Sequence, residues 1–150
     1  MSNRLLAMIE YSGDDPSRWE FEVTEHIMME DRKVVYENIR QLKEAGVKLA
    51  IDDFGTGYSS LGYIKKLQVD RLKIDRSFIK NLPHSPDDQA IVAAIITMAR
   101  QLGVETLAEG IENKEQIQQL KEMGCNGGQG YFWSPPVSET EMESLLNCTK

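Results

Sequence analysis

The 150-residue sequence predicts an α/β fold: one domain over residues 1–150 with about five parallel strands flanked by helices. Two patterns carry this reading. Short apolar runs of strand character alternate with segments whose apolar residues recur at helical spacing, and glycines stand where those helices should stop. Strands separated by helices are joined by right-handed crossovers and pair in parallel. Barrels and open doubly wound sheets both fit the pattern, and both place ligands at the carboxyl ends of their strands.

The elements follow in order. Leu5–Tyr11 reads as the end of a helix stopped by Gly13, and Trp19–Val23 alternates apolar and acidic residues at strand period. Val35, Ile39 and Leu42 mark a helix ended by Gly46, before the strand Val47–Ile51, which runs into Asp52-Asp53. Ser59 or Ser60 can cap a short helix through Leu61 and Ile64, ahead of the strand Arg71–Asp75. Ser85-Pro86 opens a long helix, Ile91 to Leu102, that Gly103 terminates. Val104–Ala108 is the fourth strand, Asn113 caps a helix through Ile117 and Leu120, and Gly124 stops it. Gly128–Phe132 reads as a last strand, with Trp133 as core, Pro135-Pro136 as a turn, and Ser138 with Glu141 as the capping box of a closing helix through Leu145 and Leu146.

Composition narrows the function classes. Hydrophobic residues at 41% and charged residues at 27% describe a globular chain with enough apolar surface for a core. A net charge of −7 is the wrong sign for tracking duplex nucleic acid, although clustered acids can hold cations that in turn hold a phosphate. Cys125 and Cys148 form neither a zinc pattern nor a disulfide framework, and His26 and His84 have no partner pattern. The longest apolar run, around Ile91–Ala99, is about half a membrane span and the N-terminus lacks a signal pattern, so a cytoplasmic location is the default expectation.

The informative feature is where the acids fall. Glu22 and Glu25 close the first strand, Asp52 and Asp53 the second and Asp75 the third, while Glu109 and Glu112 follow the fourth. Clustered carboxylates repel one another unless a cation compensates them, and an oxygen-only ligand set suits magnesium or manganese. Adjacent Asp52 and Asp53 at a strand end can reach two cations a few Å apart, the spacing of two-metal phosphoryl chemistry. The plain alternative, solvated charges or acids favouring a helix N-terminus, suits Glu112 best, since it precedes the Asn113 cap. It suits Asp52 and Asp53 least, because the glycine-containing stretch Phe54–Ser60 after them resembles a mobile loop over a site. Strand alternation puts Lys73 and Asp75 on one face, where a protonated lysine could orient a water or stabilise a phosphate oxygen. Gln129, between glycines, could offer its amide to a base edge or a water.

The strings Phe21-Glu22-Val23-Thr24-Glu25, Asp52-Asp53-Phe54-Gly55-Thr56-Gly57-Tyr58-Ser59-Ser60-Leu61, Lys73-Ile74-Asp75-Arg76-Ser77-Phe78-Ile79, Ala108-Glu109-Gly110-Ile111-Glu112 and Gln129-Gly130-Tyr131, in this order and spacing, resemble the EAL domain. That family hydrolyses cyclic di-GMP to linear pGpG on a modified eight-stranded barrel with divalent metals. The resemblance implies that Glu22, Asp52 and Glu109 bind metal, that Asp53 serves the second cation, and that Lys73 helps activate the attacking water. It also implies that Glu25 steadies the loop after Asp53, that Gln129 lines the site, and that Asp75 and Glu112 support substrate or loop.

A full barrel typically takes about 250 residues. The first strand here matches the family's fourth, so the resemblance implies an incomplete TIM-like barrel without the Glu-Ala-Leu strand and the next one, each of which carries a metal ligand. The expectations are weak or absent metal binding, no hydrolysis by these residues alone, and a homodimer or higher oligomer through the opened barrel. The alternative is a noncatalytic remnant that acts as a binding module.

Overall fold

A computed structural model describes residues 2–24, 32–57 and 61–148. Its helices are α1 (Ser2–Ser12), α2 (Arg32–Glu44), α3 (Leu61–Lys66), α4 (Arg76–Ile79), α5 (Pro86–Leu102), α6 (Lys114–Met123) and α7 (Glu139–Cys148), with one 3₁₀ turn at Pro16–Arg18. Its strands are β1 (Glu20–Thr24), β2 (Lys48–Phe54), β3 (Arg71–Ile74), β4 (Glu105–Ala108) and β5 (Gly127–Gly128). They form one parallel sheet in the order β1-β2-β3-β4-β5.

That order resolves the ambiguity left by periodicity. A doubly wound sheet reverses direction at a switch point, whereas here each crossover adds the next strand on the same side. Repeated right-handed crossovers in one direction lay every helix on one face, the arrangement of a barrel wall. The main core confirms it: Leu49, Ile51, Leu72, Ile74 and Ala108 of the strands pack with Ile39 of α2, Ile64 of α3, Leu120 of α6 and the stripe Val92, Ile95, Ile96, Ala99 of α5. The α5 stripe follows the i, i+3, i+4, i+7 rule for a buried helix face. A smaller cluster, Ile9, Leu42 and Val47, ties α1 to α2 and the start of β2.

Caps set the boundaries. Ser85 accepts the Asp88 amide at the start of α5, which begins five residues before Ile91, and Gly103 and Gly124 end α5 and α6 in the left-handed conformation. Ser59 and Ser60 lie outside the described residues.

Three expectations need correction. The third strand stops at Ile74, because Asp75 turns to cap α4 by accepting the Ser77 amide at 2.9 Å. The last strand is only Gly127–Gly128: a Cβ on Gly130, where φ is +158°, would fall 2.2 Å from the Ile111 carbonyl oxygen, so the chain crosses the β4–α6 loop there and turns away. Trp133 is not core; it is 55% exposed and edges against Phe132. In α7, Glu141 accepts the Ser138 amide as its capping box requires, and Met142, Leu145 and Leu146 are exposed.

Candidate metal centre

Strand alternation divides the side chains between the helix-packed face and the opposite one. The opposite face receives Glu20 and Glu22 from β1, Ala50 and Asp52 from β2, Arg71 and Lys73 from β3, and Glu105 and Leu107 from β4, with Glu109 just past its end. The register aligns Glu22, Ala50, Arg71 and Glu105 across four strands. Ala50 is fully buried and small, so long side chains from β3 can cross β2 to acids on β1.

Two charge layers result. In the layer nearer the strand starts, Arg71 Nη1 contacts Glu20 Oε1 at 3.0 Å and Nη2 contacts Glu105 Oε2 at 2.8 Å. Nearer the carboxyl ends, Lys73 Nζ lies 2.8 Å from Glu22 Oε2, 3.0 Å from Asp52 Oδ1 and 2.8 Å from Glu109 Oε1. Gln129 Nε2 donates to the same Glu109 oxygen at 2.6 Å.

Asp52 and Asp53 sit where the β2–β3 register shifts, between Ile51 and Phe54. Asp53 has φ +54°, a left-handed conformation that aspartate tolerates better than most residues. The irregularity lets adjacent acids serve one site, against strict alternation. One ligand oxygen from each of Asp52, Asp53 and Glu109 lies within 4.8 Å of the others.

The electrostatics follow from this crowding. Burial, the largest influence, disfavours the charged form of Lys73, yet its bonds to Glu109, Glu22 and Asp52 outweigh it and hold the ammonium well above the ordinary lysine range. Asp53 is raised above the ordinary aspartate value, first by burial and then by the charges of Asp52 and Asp75. Asp75 is lowered: burial opposes this, but the Ser77 hydroxyl and amide, the Arg76 amide and Asp53 all favour its ionised form.

A divalent cation fits the donor set. Asp52, Asp53 and Glu109 offer only carboxylate oxygens, the hard ligands that magnesium and manganese prefer. Asp52 Oδ1 is buried, and the Lys73 ammonium 3.0 Å away pairs with it by charge, without hydrogen-bond geometry. One ammonium shared among Glu22, Asp52 and Glu109 leaves these acids undercompensated, and a cation would offset the remaining charge.

Of the residues singled out from sequence, Glu22, Asp52, Asp53, Lys73, Glu109 and Gln129 converge here, and Asp75 joins through Asp53. Glu22 lies mid-strand rather than at the end of β1, and reaches the site only because Lys73 crosses to it. Glu112 is exposed, with no side-chain partner among the described residues. Glu25 lies outside the described residues. Sequence reasoning missed the Arg71 layer, although strand period puts Glu20 on the face of Glu22 and Arg71 on the face of Lys73. It also missed Gln116, a fully buried amide.

A one-way parallel sheet with an acidic cluster at its carboxyl ends defines a barrel-type α/β domain whose site a divalent cation fits. The comparisons make it particular: the EAL domain family model matches residues 1–136, and the chain belongs to that family. A cyclic di-GMP phosphodiesterase, NbdA of Pseudomonas aeruginosa, is 45% identical over 138 residues, which cover 92% of this chain and 18% of that protein. The EAL domain of Mycobacterium smegmatis DcpA superposes with TM-score 0.90 at 37% identity, over 98% of this chain and 66% of that one. Klebsiella pneumoniae BlrP1, solved as a manganese and cyclic di-GMP complex, superposes with TM-score 0.83 at 33% identity, over 90% of this chain and 34% of that one.

Proposed function

We propose that this chain carries part of a metal-dependent cyclic di-GMP phosphodiesterase site, cleaving one phosphodiester to give linear pGpG when the remaining strands are supplied. The observation that carries the reading is the cluster of carboxylate oxygens from Asp52, Asp53 and Glu109, all within 4.8 Å of one another around a single lysine. Magnesium or manganese would be held by Glu22, Asp52, Asp53 and Glu109, two ions in a complete domain. Bound there, they would polarise a phosphate oxygen and make a water more acidic.

The chain's own residues do the rest. Lys73 keeps its proton at Nζ and presents it to charge developing on the phosphate or to the attacking water. Gln129 holds Glu109 in place from the far side, and Asp75 anchors Asp53. Glu25 steadies the loop after Asp53. We assign Glu112 to substrate or loop contact at the rim, without a part in holding metal.

The family pattern places two further ligands, a glutamate and an asparagine, on strands that these 150 residues do not contain. We therefore propose that these residues alone bind metal weakly and hydrolyse cyclic di-GMP negligibly, which leaves a noncatalytic binding role for this piece. Among the described residues, β1 and β5 each have one neighbour in the sheet, and such edges favour association, so a dimer or larger oligomer through the open side is part of the proposal. No described helix is long and apolar enough to cross a membrane, and we place the domain in the cytoplasm.

Calorimetric titration with manganese, a pGpG assay and light scattering test these statements in turn. Identical calorimetric traces for the wild type and an Asp52→Ala/Asp53→Ala double variant would remove the metal reading. Robust pGpG formation would remove the claim of inactivity, and a stable monomer that of association.

A further inference from the structure

Gln116 is 1% exposed, and its amide is used on both sides. Its Oε1 accepts the Glu112 amide at 2.8 Å and the Asn113 amide at 3.2 Å, while its Nε2 donates to the Ile79 carbonyl at 3.0 Å and the Lys80 carbonyl at 3.4 Å. The first pair belongs to the α6 capping box, which needs only the acceptor. The second pair lies outside that box and reaches carbonyls at the end of α4. It ties the end of α4 to the loop that begins at Glu109.

The two ends of α4 face different acids of the metal centre. At its start, the cap Asp75 stands beside the Asp53 side chain, whose pKa is raised first by burial and then by the Asp52 and Asp75 charges. Along its first residue, Gly110 lies so close that a Cβ there would stand 2.6 Å from Arg76 Cβ, and φ of +70° at Gly110 keeps the loop in that turn. At its end, Gln116 fastens Glu112 and Asn113. Asp53 comes from β2 and Glu109 follows β4, yet both are referred to the same helical turn.

We propose that Gln116 is a positioning residue of the metal centre: through α4 it latches the Glu109 loop and so fixes the separation between Asp53 and Glu109. Groups one contact removed from a ligand fix its orientation, and losing them commonly costs about 10- to 100-fold in metal affinity. The link to metal affinity rests on the reading under "Proposed function"; the mechanical link does not.

Gln116→Glu separates the two jobs, because a carboxylate can still accept the Glu112 and Asn113 amides but cannot donate to Ile79 and Lys80. Gln116→Met removes both sets of bonds at similar length. The control is Ile39→Ala, a truncation in the α2 part of the core. Two readouts apply to the 150-residue chain: manganese affinity by calorimetry, and amide hydrogen exchange over residues 109–113 and 76–82. Both Gln116 variants should weaken manganese by about tenfold and speed exchange in both segments, whereas Ile39→Ala should lower the melting temperature without either change. Wild-type affinity and exchange in the Gln116 variants would overturn the proposal, as would equal changes in Ile39→Ala. If the wild type binds no manganese, the metal reading fails, and exchange alone then decides the latch. Should the buried carboxylate of Gln116→Glu prevent folding, Gln116→Met decides by the same readouts.

Discussion

The two charge layers on the open face are built on the same plan and balanced differently. Both place a cation of β3 between acids from β1 and from β4 or the loop after it, two residues apart on β1 and β3 and four apart from Glu105 to Glu109. Arg71 meets Glu20 and Glu105 and has no further acid among its contacts. Lys73, with a side chain only 5% exposed, meets Glu22, Asp52 and Glu109, with Asp53 alongside. The guanidinium layer, whose planar fork suits two carboxylates at once, is close to self-sufficient. The ammonium layer carries more negative charge than its own cation offsets, and that surplus is what a structural role does not require.

The largest effect should come from Lys73→Met, which removes the one cation among four acids. In a completed domain, turnover should fall by about 10²–10³-fold with much less change in ligand affinity, because the ammonium matters most as charge develops in the transition state. The metal-free protein should lose on the order of 2–4 kcal/mol in denaturant titrations, somewhat below the cost of breaking a fully buried pair because Glu22 sees water. Wild-type turnover would take Lys73 out of the mechanism.

Next comes Ala50→Leu, which fills the gap through which both β3 cations reach β1. Overpacking there should cost about 1–3 kcal/mol by thermal or denaturant unfolding, and it should disturb both layers together. A variant as stable as the wild type would show that the cations do not depend on that passage. Arg71→Met should be milder still, about 0.5–1 kcal/mol, since its partners are partly exposed and its aliphatic stem is kept. Manganese affinity should not change. If it does, the two layers are one functional unit and the comparison is wrong.

How much of this was legible in the sequence depends on the range of the interaction. The α5 stripe, the Asn113 and Ser85 caps and the glycines after α5 and α6 were readable because each is decided within a few residues. The site acids were readable from residue type and position at strand ends. Asp53 joining Asp52 on one site was readable from their adjacency at a strand end, but the register shift that permits it arises between β2 and β3 and was not. Gln116 was missed: its place three residues after the Asn113 cap is legible as a capping box, but its second pair of bonds spans more than thirty positions and leaves no local trace. The last strand failed for a related reason: Gly130 looks like a strand glycine until Ile111 is found across from it.

The finest distinction between the layers is one of sign, read by Asp53→Asn. In the folded protein the Asp53 pKa lies above its ordinary value of 3.8, so its contribution to stability is fully present below that value and is lost as pH rises through the raised one. Asparagine avoids that loss, and it tolerates the left-handed backbone at φ +54° as aspartate does. Without metal, the variant should therefore melt slightly above the wild type, with the gap opening as pH climbs past the ordinary aspartate value and levelling off near neutrality. Manganese should reverse the order, because a ligand that binds only the native state stabilises the wild type by mass action and the variant less. In the other layer, Glu20→Gln should lower the melting temperature by the same amount with and without manganese, since Arg71 already occupies that carboxylate and the metal ligands are untouched. Melting curves at several pH values with and without manganese decide the matter. An Asp53→Asn variant that melts below the wild type in metal-free buffer at neutral pH would mean that the acids around Lys73 are as well balanced as those around Arg71.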